Sequence, residues 1–186
     1  MGKAILVTGG ARSGKSTFAE RLAGDIGGKI MYIATAVPFD DEMRDRIKKH
    51  KDSRPDTWIT YEGYRGIGKA ILENSCTVEG ILLDCITVMV TNLLLDYLGL
   101  ENESPSSEEL YEAEKSILKE FEDLREAVLK VDSTIIMVTN ELGSGIVPEY
   151  PLARGFRDIA GRVNQYIASW SKEVYLTVCG IPVRVK

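Results

Sequence analysis

The chain has 186 residues, 44% of them hydrophobic and 27% charged, with a formal net charge of −5. That length and composition suit one compact soluble domain over residues 1–186 with its own apolar core. The acidic balance argues against a general nucleic-acid binder. No apolar run is long enough to cross a bilayer, so stable membrane insertion is not expected either.

The N-terminus leads directly into an apolar run, with no pattern of a signal peptide, which makes the cytoplasm the expected compartment. Ala4–Thr8 reads as a buried parallel strand. A glycine-rich turn follows, then a helix from Ser16 to Ala23, ended by Gly24, Gly27 and Gly28. Ile30–Ala34 is a second buried strand. Asp40 and Asp41 open a predicted helix that reaches about Lys51, where Pro55 limits it. Trp58–Tyr61 is a short strand. Tyr64–Glu73 has a weaker helical pattern because Gly66 and Gly68 interrupt it.

Gly80–Asp84 is a third apolar strand, ending in a carboxylate. Thr87–Leu98 reads as an apolar helix, and Gly99–Ser107 as a loop. Ser107 is placed as the cap of a long helix in which Leu110, Ile117, Phe121, Leu124 and Val128 form one stripe. Its glutamates form the solvated face. Thr134–Thr139 is a strand, Asn140–Tyr150 a loop, and Arg154–Trp170 a helix. Val174–Val178 and Val183–Val185 form a hairpin around Gly180–Pro182. Strands alternating with helices predict an α/β fold with a mostly parallel sheet flanked by helices. Cys76, Cys85 and Cys179 are odd in number and lack CxxC spacing, so three reduced, partly buried thiols are expected.

Gly9-Gly10-Ala11-Arg12-Ser13-Gly14-Lys15-Ser16 has the Gly-x4-Gly-Lys-Ser spacing of a Walker A phosphate loop, between a strand and a helix. The expected fold is therefore P-loop NTPase-like, of the RecA/Rossmann type, with a C-terminal hairpin. Backbone N–H groups of such a loop face the phosphates, and the helix dipole adds to their attraction. Lys15 is expected to reach the β- and γ-phosphates, and the Ser16 hydroxyl to bind Mg²⁺. Asp84, at a strand end, stands where a second metal-side carboxylate would lie; a capping aspartate is the alternative. The loop alone specifies a triphosphate site without distinguishing a kinase from a GTPase or a nucleotidyltransferase.

His50 is the single histidine, and six basic side chains lie between Arg44 and Arg54 against Asp45 and Asp52. Helical spacing puts Met43, Ile47 and His50 on one face, so a packed histidine beside a solvated basic face is one reading. The other is a nucleophile. Nearby cations would depress its pKa and keep the imidazole neutral, and a neutral ring nitrogen can attack phosphorus.

Beyond these motifs, the chain resembles the bifunctional adenosylcobinamide kinase / adenosylcobinamide-phosphate guanylyltransferase family of cobalamin biosynthesis. The matching stretches are Ile5–Ser16, Tyr32–Thr35, Asp41–Met43, Arg46–Pro55, Asp84–Thr87, Val90–Leu94, Val138–Glu141, Gly145–Glu149 and Phe156–Gln165. The resemblance implies phosphorylation of adenosylcobinamide with ATP or GTP, then transfer of GMP from GTP to adenosylcobinamide phosphate. It implies His50 as the guanylylated residue. Nucleotide contacts would come from Gly9–Thr17, from Ala34, Thr35 and Ala36, from Lys51, Asp52, Ser53 and Arg54, and from Glu62 and Asp84. It also implies a homotrimer. Two departures are that Lys49 precedes His50 where some members carry a histidine pair, and that Asp84 replaces a frequent glutamate. Arg154, Arg157 and Arg162 are candidates for anionic contacts, with structural ion pairs to Asp158 or Glu149 as the alternative. Two rival readings are a monofunctional P-loop small-molecule kinase without a covalent step and a GTP-dependent switch. The second lacks the Asn-Lys-x-Asp guanine motif, since Asn140 is followed by Glu141.

Overall fold

The computed structural model describes residues 3–37 and 55–186. The helix predicted from Asp40 to about Lys51 lies outside them, together with His50 and Lys51–Arg54.

Seven strands form one sheet in the order β3-β2-β4-β5-β1-β6-β7. They are β1 (Ala4–Gly9), β2 (Ile30–Ala34), β3 (Ile59–Glu62), β4 (Gly80–Asp84), β5 (Thr134–Val138), β6 (Glu173–Val178) and β7 (Ile181–Arg184). All neighbouring pairs are parallel except β6 with β7, the C-terminal hairpin. The described helices are α1 (Lys15–Ile26), α2 (Ile67–Asn74), α3 (Ile86–Leu98), α4 (Ser107–Lys130) and α5 (Pro151–Trp170). None is long and apolar enough to cross a membrane.

Strand side chains alternate between faces, and both faces of this sheet are covered. Ile5, Val7, Ile30, Tyr32, Leu82, Ile136 and Val138 pack with Phe18, Ala19 and Ala23 of α1. Leu6, Met31, Ile33, Ile81, Leu83, Ile135 and Met137 face the other way, into a larger core with α2 to α5. The near-continuous apolar runs of the central strands follow from this double burial.

The stripe on α4 is confirmed at Ile117, Phe121, Leu124 and Val128, all buried, while Leu110 is half-buried against the same core. The cap of α4 differs from expectation. It is Ser106, not Ser107: the Ser106 hydroxyl accepts from the Glu109 N–H, and the Glu109 carboxylate accepts from the Ser106 N–H. The Ser-x-x-Glu spacing of a capping box runs from 106 to 109. From 107 the third residue on would be Leu110, which cannot reciprocate.

Other boundaries shift as well: α2 starts at Ile67, not Tyr64, and β7 spans Ile181–Arg184 in place of Val183–Val185, so Pro182 pairs with Thr177 inside the strand and the turn is Cys179–Gly180. Helix α1 continues past Gly24 to Ile26, and α5 starts at Pro151, three residues before the expected Arg154. Proline suits a first turn, where its missing N–H is not needed. The cysteines also differ from expectation, since Cys76 and Cys179 are exposed and only Cys85 is buried.

Gly68, read as an interruption, is a packing residue inside α2. A Cβ there would lie 2.6 Å from the Asp123 carbonyl oxygen of α4. Backbone cannot yield as a side-chain tip can, so α2 seats on α4 only because position 68 has no side chain. Gly68→Val is expected to lower unfolding stability by about 1–3 kcal/mol through overpacking. Chemical denaturation would measure it, and an unchanged midpoint would contradict this account.

Candidate functional site

The strand–loop–helix unit at the N-terminus is built as the motif requires. Gly9 closes β1, and Gly14, at φ 89°, is the N-cap of α1. Phe18 N–H donates to Gly14 O at 3.0 Å, the first helical turn, and Ser13 N–H donates to Gly10 O at 3.3 Å. Lys15 Nζ donates to Gly10 O at 3.2 Å, so its ammonium folds back over the loop. Gly10, Ala11, Arg12 and Thr17 are exposed, and Ser13 to Ser16 are half-buried. No acidic side chain stands in the first turn of α1. The positive end of its dipole is therefore not offset by a carboxylate within its own first turn.

The loop also has a support that its own motif does not reveal. Gly180 N–H, in the β6–β7 turn, donates to Ser13 O at 2.8 Å. A Cβ on Gly14 would lie 2.9 Å from Gly180 Cα, and the positive φ of Gly14 already disfavours any other residue. The C-terminal hairpin therefore lies directly against the phosphate loop.

Asp84 closes β4. The register puts Glu62, Ala34 and Asp84 in one row across β3, β2 and β4, and Asp84 pairs onward with Val138 and then Val7. Three of the proposed nucleotide contacts thus share the edge at which β1 runs into the phosphate loop. One Asp84 carboxylate oxygen accepts from Tyr32 O–H at 3.0 Å. Tyr32 in turn stacks on Trp58 with ring centroids 6.5 Å apart.

Thr35 is fully buried. Its hydroxyl accepts from Cys85 N–H and donates to Cys85 O, both at 2.8 Å. Its N–H donates to Asp84 O at 3.3 Å, and its carbonyl accepts from Asn92 Nδ2 at 2.8 Å. The Thr35 side chain therefore holds the Asp84–Cys85 segment in place and is not presented outward. Ala34 and Ala36, on either side, are half-buried at the site edge, and Glu62 is exposed.

The residues present fit a hard divalent cation. Asp84 keeps a second carboxylate oxygen beside the one bound to Tyr32, and Ser16 offers a hydroxyl from the first turn of α1. No cluster of three acidic, histidine or cysteine side chains is found among the described residues. One carboxylate and one hydroxyl, completed by phosphate oxygens and water, is the donor set Mg²⁺ favours over an all-protein cage.

The three arginines weighed as anion contacts are engaged elsewhere. Arg157 pairs with Asp158 at 3.1 Å, and Arg162 with Glu114. Arg154 donates to the Pro148 carbonyl at 3.0 Å, so it braces the loop before α5 and does not pair with the Glu149 carboxylate. Tyr32, Asn92 and the Cys179–Gly180 turn were not legible as site residues. Asn92 did leave a signal, a carboxamide inside the apolar run Val90–Leu94.

Burial, and then the Asp84 carboxylate, push the Cys85 thiol up to about 11, while the Val88 backbone N–H and then the Lys15 ammonium pull the other way. The thiol therefore stays protonated and unreactive at neutral pH. Iodoacetamide at about pH 8 is expected to alkylate Cys76 and Cys179 in the folded protein and spare Cys85. Mass spectrometry would check this, and modification of Cys85 without denaturant would contradict it.

The family described as cobinamide kinase / cobinamide phosphate guanyltransferase matches residues 5–185. The chain is 50% identical over 182 residues to the bifunctional adenosylcobalamin biosynthesis protein CobU of Salmonella typhimurium, covering 98% of this chain and 99% of that one. It is 47% identical over 182 residues to the protein of the same name from Escherichia coli, with the same coverage of 98% and 99%. It is 38% identical over 183 residues to the bifunctional adenosylcobalamin biosynthesis protein CobP of Pseudomonas aeruginosa, covering 97% and 96%. Among solved structures, a KaiC-like protein of Pyrococcus horikoshii aligns with TM-score 0.46 and 14% identity, over 94% of this chain and 71% of that chain.

Proposed function

Since the chain belongs to the cobinamide kinase / cobinamide phosphate guanyltransferase family, we propose that it carries out both transfers of adenosylcobalamin biosynthesis at the edge just described. The first phosphorylates adenosylcobinamide with ATP or GTP. The second moves GMP from GTP onto adenosylcobinamide phosphate, giving adenosylcobinamide-GDP and pyrophosphate. The observation that carries this reading is the placement of the phosphate loop and the Glu62–Ala34–Asp84 row at one end of a parallel sheet.

In the kinase step, the acceptor hydroxyl oxygen bonds to the γ-phosphorus and the bond to the nucleoside diphosphate breaks. This protein's part is to position and to neutralise charge. The loop N–H groups and the helix dipole hold the phosphates, and Lys15, released from Gly10 O, spans the β- and γ-phosphates. When bound at Ser16 and Asp84, Mg²⁺ supplies further neutralisation of phosphate charge.

In the guanylyl step, a neutral nitrogen of His50 bonds to the α-phosphorus as the bond to pyrophosphate breaks. The lysines and arginines flanking His50 offset charge on the leaving group. A phosphate oxygen of the acceptor then takes the guanylyl group, the P–N bond breaks, and the imidazole returns to its neutral form. Lys51–Arg54, Glu62 and Asp84 are assigned to the nucleotide in this reading. The same family reading carries a homotrimer located in the cytoplasm.

GTP labelled at the α-phosphate tests the covalent step. An acid-labile, alkali-stable label on the protein is expected, absent in His50→Ala and discharged by adenosylcobinamide phosphate. A kinase-active protein that takes no label under turnover conditions would leave the monofunctional kinase in its place.

A further inference from the structure

The edge between Asp84 and the phosphate loop contains a closed circuit of hydrogen bonds. Asn140 N–H donates to Thr87 Oγ1 at 2.7 Å. Thr87 and Thr139 hydroxyls are 3.1 Å apart. Thr139 O–H donates to Asn164 Oδ1 at 2.7 Å, and Asn164 Nδ2 donates to Asn140 O at 3.1 Å. The sense of the circuit is determined. Asn164 Oδ1 can only accept, which commits the Thr139 proton to it, so Thr87 donates to Thr139. A flipped Asn164 carboxamide would set its oxygen against the Asn140 carbonyl oxygen.

Thr87 and Thr139 are only 6% and 1% exposed, so each hydroxyl would be costly if left unpaired. Within the circuit each is satisfied, and a fully satisfied buried network admits one arrangement. Alternation along β5 explains the direction of Thr139. Ile135 and Met137 face the α2-to-α5 layer, and Thr139 continues that side.

The circuit joins four elements. Thr87 stands in the first turn of α3, three residues after Asp84. Asn164 comes from α5. The 139–141 segment extends β5 and is tied to β1 on the other side. Thr139 N–H donates to Val7 O, and Glu141 N–H donates to Gly9 O, both at 3.0 Å. Since β5 lies between β4 and β1, Asp84 and Gly9 are not on neighbouring strands. Their separation beyond the strand ends is bridged by this segment.

We propose that Thr87, Thr139 and Asn164 are positioning residues that set the distance between the Asp84 carboxylate and the phosphate loop for both transfers. They touch no substrate. They act through the Asn140 peptide and its bond-linked neighbour Gly9. The proposal rests on the transferase reading above. In that reading Asp84 is one nucleotide contact among many and the loop still binds phosphates when the carboxylate is misplaced, so loss should fall far more on turnover than on nucleotide binding.

Thr87→Val removes the hydroxyl at nearly constant shape. It is expected to lower kcat of both transfers about tenfold while nucleotide KM stays within about twofold. Thr87→Ser, which keeps the hydroxyl, should restore kcat to within about threefold of the unsubstituted protein. Asn164→Asp turns a donor into an acceptor facing the Asn140 carbonyl and should reproduce the kcat loss if Thr87→Val fails to fold. The proposal is overturned if a folded Thr87→Val or Asn164→Asp keeps full kcat, if Thr87→Ser is as impaired as Thr87→Val, or if KM rises in step with the fall in kcat. Absence of transfer by the unsubstituted protein would overturn the transferase reading and this proposal with it. Active unsubstituted protein with unaffected variants would overturn this proposal alone.

Discussion

Parallel pairing of β1, β5 and β4 places Val7, Val138 and Asp84 in one row. In a parallel sheet every strand delivers its following loop to the same edge. The phosphate loop after β1, the carboxylate at the end of β4 and the segment after β5 are therefore neighbours by construction. That register depends on double burial. Alternate side chains of the same strands fill the core under α1 and the larger core under α2 to α5. A one-residue slip of β4 would exchange Leu82 and Leu83 between cores and carry Asp84 out of its row.

Polar groups at this edge have two separate tasks. Thr35, Asn92, Thr87, Thr139 and Asn164 are turned inward and bonded to backbone or to one another. Asp84, Lys15 and Ser16 remain partly open to solvent. The inward set stabilises little in net terms, because each bond replaces one with water. Its contribution is to uniqueness: a buried hydroxyl without its partner would cost more than a lost contact. Of the outward set, Lys15 is held on Gly10 O and must leave it to reach a phosphate, whereas its backbone and that of Asp84 and Ser16 are already placed.

The last strands support the first loop. Gly180 N–H reaches Ser13 O, and its Cα leaves no space for a side chain on Gly14. The glycine of the phosphate-loop motif is thus required twice, once by its own φ and once by a turn more than 160 residues away in the chain (on the order of the whole domain length for a chain of this size). A pattern match explains the first requirement only.

Local chemistry made much of this protein readable in advance. Apolar runs marked the strands, the Gly-x4-Gly-Lys-Ser spacing marked the loop between β1 and α1, and the stripe from Ile117 to Val128 marked the buried face of α4. These are determined by residues within a few turns of one another. Strand order, the seating of Gly68 on the Asp123 carbonyl, the commitment of Thr35 to Cys85 and the circuit from Thr87 to Asn164 were not readable. Each joins different elements far apart in the chain, and no local period encodes which distant partner will satisfy a given hydroxyl or exclude a given Cβ. The sequence by itself determined the chemical groups available for binding phosphate. Only the packing of the sheet decided which of them stay open to solvent at the strand ends and which bond inward, because burial, not residue type, selects a polar group's partner.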